Sequence, residues 1–173
     1  MAFGRIRRAA AYGTFDGWTI AIFAALSFVC GLSSVVGIAM GIGMGTIAAV
    51  ELWAVGRLRR LDPAAARMLG FNQIAFALVL IVYAVWSLHT ELGTGAAVRL
   101  LVGTDPAVES LVGPIANLAG LIAWVLYGGL MAVAIFCQGG AAIYYFTRVK
   151  HVEAYLRDTP AWILQMHKAE VWN

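Results

Sequence analysis

The side chains able to do chemistry in this chain are few, and most stand at the edges of long apolar stretches. Glu51 closes the run from Gly17 to Val50, which carries no charge. Arg57 and Arg59 follow about two helical turns later. The simplest expectation is an interfacial carboxylate paired with one of them. The functional alternative is a proton or cation site, because ionisable groups are costly in a bilayer and mark function there. Asn72 and Gln73 open the next apolar stretch, and Gln138 lies inside the last one. Amides in such places either hydrogen-bond between helices or line a polar pathway. Glu51, Asn72, Gln73 and Gln138 are therefore the candidate polar membrane site.

Other reactive residue types do not converge. His89 falls at the outer end of an apolar stretch, whereas His151 and His167 belong to the tail. Axial haem ligation needs facing ligands at matching depth, which this placement denies. Met40 and Met44 share a face, but core filling explains them better than a soft metal. Cys30 and Cys137 lie in apolar blocks and are expected as buried small hydrophobes, and two isolated cysteines establish no disulfide. Ser33 and Ser34 sit in a turn without a nearby base. There is no Walker loop, no His-Glu-x-x-His, no pair of catalytic carboxylates and no Gly-x-Ser-x-Gly. No catalytic residue, metal ligand or cofactor is expected, and hence no enzyme.

The most distinctive pattern is Gly37-Ile-Ala-Met-Gly41-Ile-Gly43-Met-Gly45. Gly37, Gly41 and Gly45 recur every fourth position and stack on one helical face, with Gly43 beside them. A stripe without side chains lets another helix approach closely. That helix belongs either to this chain or to another subunit; a binding site is the third reading. The stripe, the following Ala-Val-Glu51, the basic Pro-containing loop and the next apolar helix resemble the layout of rotary-ATPase proteolipid subunits over roughly Gly37 to Trp86. That family places a carboxylate in the middle of the helix after the loop. Asn72 to Trp86 contains none, so ion translocation is not carried over.

These residues must be positioned by membrane-spanning helices. Of 173 residues, 62% are hydrophobic and 12% charged, with a mean hydropathy of +0.83. Soluble domains carry about 25% charge. The run from Gly17 to Val50 is too long for one crossing of a core about 30 Å thick. Gly31-Leu-Ser-Ser-Val-Val-Gly37 supplies the turn. Four spans are expected: Gly17 to about Gly31 with Asp16 as N-cap, Val35 to Leu58, Met68 to His89, and Asn117 to Phe146. A polar loop from Thr90 to Ser110 joins the last two, and Gly113-Pro114 interrupts the start of the last block. The first fifteen residues do not read as a cleaved signal peptide, because the apolar block runs on too long.

Charge sets the expected orientation. Arg5, Arg7, Arg8, Arg57, Arg59, Arg60, Arg67, Arg148, Lys150, Arg157 and Lys168 all fall on one side of a four-span layout, eleven of the twelve Lys and Arg residues. Only Arg99 faces the other side, with Glu91, Asp105 and Glu109. By the positive-inside rule both termini are cytoplasmic. The same rule explains the net charge of +3 without nucleic acid. Tyr144, Tyr145 and Phe146 are expected as an interfacial aromatic belt. After Thr159-Pro160, a helix start with Thr as N-cap, Trp162, Ile163, Met166 and Ala169 share one face of a short amphipathic helix. It is expected to lie on the inner leaflet or on a partner.

The expected organisation is a basic interfacial segment over 1–16, a four-helix transmembrane domain over 17–147, and a cytoplasmic or interfacial helical tail over 148–173. The chain reads as an all-α, multi-pass protein of the cytoplasmic membrane. The function that fits best is non-enzymatic: a self-assembling or accessory structural subunit of a membrane complex, with the bilayer, its own copies or other membrane subunits as partners. A small ion channel or transporter is the alternative, served by Glu51, Gln73 and Gln138. A cofactor-binding membrane subunit using the histidines is the third reading.

Overall fold

The computed structural model describes residues 2–102 and 106–170, with side chains described over 3–97, 113, 115 and 117–166. Arg99, Asp105, Glu109, His167 and Lys168, singled out above for charge or chemistry, lie outside the described side chains. The described residues form helices joined by short turns: α1 Ala2–Cys30, α2 Val35–Arg59, α3 Pro63–Val102, α4 Pro106–Val133, a π-helical segment Ala134–Gln138, α5 Gly139–Asp158 and α6 Ala161–Glu170. Four helical stretches are long and apolar enough to cross a membrane: Phe3–Cys30, Val35–Arg59, Pro63–Ala97 and Asn117–Asp158. They make a multi-pass membrane protein.

The helices overrun the expected boundaries. α1 begins about four turns before Gly17, so Asp16 lies inside the helix and caps nothing. The stretch expected as a polar loop after His89 continues α3 as helix to Val102. Within it Thr90 and Thr94 turn their hydroxyls back onto the Trp86 and Thr90 carbonyls at 3.0 Å each. α4 runs through Gly113-Pro114 without a break; glycine and proline are tolerated in membrane helices, where neighbouring groups re-satisfy the freed backbone. At Ala134–Gln138 the helix widens into π geometry, which accommodates one extra residue per turn and recurs at functional sites. The tail helix starts one position later than expected: Thr159 is extended and caps the end of α5. The Pro160 carbonyl takes the first bonds of α6, from Ile163 and Leu164.

The chain divides into two compact units, residues 1–79 with 137–173, and residues 80–136. In the first, α1 and α2 pair along their length as a hairpin. Ser34 caps α2, accepting from the Gly37 amide at 3.4 Å. Gly31 and Gly37 bring the two backbones into direct contact at the turn, and a side chain at either would collide with the other's main chain. Further along, a Cβ at Gly41 would lie 2.7 Å from Phe28 Cβ. Gly43 and Gly45 face open space.

The core of this unit gathers at the end of the hairpin remote from that turn. Ile6, Ala9 and Ala10 from α1 meet Ala54, Val55 and Leu58 from α2, Ala65, Ala66 and Leu69 from α3, and Tyr145, Val149 and Val152 from α5. The alanines let the helices close in, and the larger side chains fill what remains. Leu61, between α2 and α3, adopts a left-handed φ of 63° and is almost fully buried. The core contact offsets the backbone strain of that conformation. Asp62 then starts α3: its Oδ1 accepts from the Ala64 amide at 2.9 Å, and Pro63 occupies the first helical position. The N-terminal stretch, expected on the leaflet, is part of this core. Ile6 is buried, and Phe3 stacks on Tyr155 with centroids 5.7 Å apart.

The second unit contains the C-terminal part of α3 and all of α4. Tyr83 and Tyr127 meet edge to face at 6.3 Å. Ala84, Leu88 and Ala123 are buried, while Val82, Trp86, Leu121, Trp124 and Val125 point outward. In the first unit Phe15, Trp18, Ile22 and Phe23 likewise face outward. Exposed apolar surface on this scale would aggregate in water and suits lipid. Cys30 and Cys137, expected to be buried, are exposed free thiols on these outer faces.

Candidate functional site

Four helices converge on Glu51. It is fully buried on α2, about six residues and hence about 9 Å along the helix from Arg57. Neither neighbouring arginine pairs with it. Arg57 binds Asp62 at 2.6 Å and lies 4.9 Å above the Trp53 ring, and Arg59 donates to Thr14 Oγ1 at 2.8 Å. The expectation of an interfacial ion pair is therefore corrected. Asp62, closer along the chain and placed by the turn, takes Arg57, and Glu51 points inward.

The carboxylate is held by neutral donors instead. Asn72 Nδ2 donates to Glu51 Oε2 at 2.7 Å and to the Ile47 carbonyl at 3.1 Å. Gln73 Nε2 donates to Glu51 Oε1 at 3.1 Å and to Asp16 Oδ2 at 2.6 Å. The Tyr145 hydroxyl, from α5, approaches Glu51 Oε1 at 3.4 Å. Taking a carboxylate out of water is expensive, and charge-assisted hydrogen bonds offset part of that cost. The accounting does not close entirely. Gln73 Oε1 is buried and has no hydrogen-bond partner, which costs about 1–3 kcal/mol.

Local sequence explains how α1 reaches the site. Gly13 and Gly17 flank Asp16 on one helical face. A Cβ at Gly13 would stand 2.8 Å from the Tyr145 hydroxyl and 2.6 Å from Val55 Cγ2, and one at Gly17 2.9 Å from Leu52 Cδ2. Without side chains there, α1 lies against α2 and α5 closely enough for Asp16 to meet Gln73.

Of the expected polar residues, Glu51, Asn72 and Gln73 come together. Gln138 stands apart, half-buried on the π-helical segment. Asp16 and Tyr145 complete the cluster and were not expected in it. Tyr145 is not an interfacial anchor: it is fully buried, with its ring in the core and its hydroxyl on Glu51. Its neighbours Tyr144 and Phe146 are half-buried. Tyr144 lies under the Arg148 guanidinium at 4.2 Å, and Phe146 packs on Phe71 at 5.2 Å. Trp162 is exposed on α6. His151 bonds to Arg5 at 3.1 Å, and among the described residues no group of three His, Cys, Asp or Glu side chains could hold a metal.

A second feature lies on the α1–α2 hairpin. An open groove of about 420 Å³ is lined by Ala21, Ala24, Ala25, Gly41, Gly45, Ala48 and Ala49, with Phe28 and Leu52 at its sides. Glycine and alanine at this density leave a shallow trough instead of a knobbed face.

The chain matches no protein-family model, no curated protein and no solved structure.

Proposed function

We propose that this chain is a non-enzymatic multi-pass protein of the cytoplasmic membrane, a self-assembling or accessory structural subunit of a membrane complex, with both termini inside. The observation that carries the reading is the trough of Ala21, Ala24, Ala25, Gly45, Ala48 and Ala49 on the α1–α2 hairpin. Lipid tails are as apolar as leucine, so nothing hydrophobic drives helices together inside a bilayer. Association there rests on close van der Waals contact, which small residues permit. Gly45 supports this use, because among the described residues no atom fills the space a side chain would take.

The test is the assembled mass in nanodiscs or mild detergent, by light scattering, for the parent and for Gly45→Leu. A parent of higher order that the substitution reduces to a folded single chain supports the reading. A parent already single in gentle extracts, without co-purifying membrane subunits, overturns it.

A small ion channel or transporter is the second reading. A different observation favours it: a carboxylate, Glu51, fully buried within a membrane-spanning helix and not paired with Arg57 or Arg59.

A further inference from the structure

We infer that Arg8 and Arg148, on the seam between α1 and α5, bind the phosphate of an anionic phospholipid whose head alcohol is uncharged, and this goes beyond the assembly reading. The two helices run antiparallel, with Phe3 on Tyr155 at one end. Further along, Arg5 Nη1 meets His151 Nε2 at 3.1 Å, and the Tyr12 and Tyr144 rings meet edge to face at 6.1 Å. Arg8 falls three residues after Arg5 and four before Tyr12, so the three share one face of α1. Tyr144, Arg148 and His151 share the facing side of α5 by the same spacing. Arg8 and Arg148 are therefore the middle members of two facing stripes and stand level with each other.

Among the described residues no carboxylate answers these charges. His151 Nδ1 lies 2.9 Å from the Thr147 carbonyl, which can only accept, so Nδ1 carries the proton and Nε2 offers Arg5 a lone pair without a charge. The described carboxylates of this unit are engaged elsewhere: Asp62 with Arg57, Glu153 with Arg67, Asp158 with Arg157, and Asp16 and Glu51 with Gln73. Arg148 is the independent sign of a ligand. It is half-buried, its guanidinium lies 4.2 Å from the Tyr144 ring, and its Nε is shut from solvent without a partner. A cation so placed is short of water as well as of counter-charge. Its terminal nitrogens are the donors left for an incoming anion.

The setting selects the occupant. Two guanidiniums level across a seam suit a phosphate, whose oxygens take paired N–H donors. Past Arg8 and Tyr12 the same face of α1 continues through Phe15 and Ile22, and both are exposed. Arg8 to Ile22 spans about 21 Å of helix, enough to line the roughly 15 Å of hydrocarbon in one leaflet. A phospholipid with its phosphate at the arginines lays an acyl chain on this face, for which a soluble phosphate has no use. A head group with its own ammonium would bring another cation to the seam, so zwitterionic phospholipids fit worse. Basic pockets between helices at the membrane surface take anionic head groups on the same grounds.

The experiment uses the full chain in phosphatidylcholine nanodiscs with a rising share of phosphatidylglycerol. Native mass spectrometry counts the lipid retained, and thermal unfolding reports stabilisation. The expected result is saturable retention of phosphatidylglycerol and a melting temperature several degrees above that in phosphatidylcholine alone. Arg8→Gln, at an exposed position outside the core, should weaken retention about fivefold while melting in pure phosphatidylcholine stays unchanged. Arg148→Gln should weaken it at least as much. Lys150→Gln removes the same charge from an exposed position on the opposite side of α5, and should retain lipid like the parent. Four results would each overturn the inference: no preference for phosphatidylglycerol, unchanged retention in Arg8→Gln, an equal loss in Lys150→Gln, or equal stabilisation by inorganic phosphate in phosphatidylcholine discs. The third would mean diffuse attraction to a charged surface, and the last a soluble anion. None of these readouts depends on the assembled mass.

Discussion

Gln73 Nε2 lies 2.6 Å from Asp16 Oδ2, although the two residues are 57 positions apart and belong to α3 and α1. The same nitrogen also reaches Glu51 on α2. One amide group thus ties three helices, and through Glu51 the tie extends to Tyr145 on α5. Such a tie fixes rotation as well as distance. Any turn of α3 about its axis carries Gln73 out of reach of one carboxylate.

Gln73→Leu tests the weight of this tie. Leucine fills a comparable volume but donates nothing, so Asp16 and Glu51 each lose a charge-assisted bond. Breaking one side of a buried charged network typically costs about 3–5 kcal/mol. The half-buried position of Asp16 and relief of the orphaned carbonyl bring the expected loss nearer about 2–3 kcal/mol. Denaturant or thermal unfolding in a fixed detergent checks it. A variant as stable as the parent would show that the amide is a passenger.

Tyr145→Phe should do much less. Its hydroxyl stands 3.4 Å from Glu51 Oε1, at the limit of a hydrogen bond, while its ring is buried among the core side chains. The substitution keeps the ring and deletes only the weak bond, for a cost of about 0.5–1 kcal/mol. Tyr145→Ala removes the ring too and should cost about 3–5 kcal/mol. The ratio of the two losses separates the packing role of Tyr145 from its polar one.

The spans themselves were readable in the sequence because charge and hydrophobic block length set them directly. The turn at Gly31–Ser34 followed from local chemistry as well, whereas α3, expected from about Met68, starts already at Pro63 behind its Asp62 cap. What escaped was tertiary. Asp16 next to an apolar block reads as a helix cap, since only the partner on α3 reveals it as a buried acceptor. The signal that would have found it is its setting, Gly13 and Gly17 on the same face as an acid, which is the mark of a helix pressed close at a polar point. Tyr145 was hidden among three adjacent aromatics, because register within a helix decides which one turns inward. The polar segment after His89 continues as helix, with its threonine hydroxyls turned back onto their own backbone, a choice that composition does not announce.

The glycine pattern divides into positions with opposite expectations. A side chain at Gly41 would collide with Phe28 on α1. Gly41→Leu should therefore lower stability by at least the 1–3 kcal/mol or so typical of overpacking, while the surviving protein keeps its assembled size. Gly45 meets nothing among the described residues and lines the trough. Gly45→Leu should leave the melting of a dissociated chain nearly unchanged and alter assembled size alone. Light scattering and thermal unfolding on both variants decide the matter; the reverse pattern would mean that the partner of α2 has been misassigned.

The sidedness of the chain rests on charges that are spread through the sequence but gathered in space. Arg5 near the start of α1 bonds to His151 on α5 at 3.1 Å. Arg59 at the end of α2 bonds to Thr14 on α1, and Arg67 on α3 pairs with Glu153 on α5 at 2.9 Å. The start of α1, the α2–α3 turn and the later part of α5 thus share one end of the first unit, and all are rich in arginine. Each arginine forced across a bilayer centre costs about 2.5–3.5 kcal/mol, so this end should remain where the chain is made. Reporter fusions after Pro63 and after Asn173 should then read cytoplasmic, and one near Gly103 external. The contacts make the first two readings interdependent: a fusion after Pro63 cannot be inside with one after Asn173 outside unless α5 leaves Arg67 and Arg5. A split result of that kind would refute the shared end, whereas inversion of all three reporters would keep the packing and overturn only the assignment of sides.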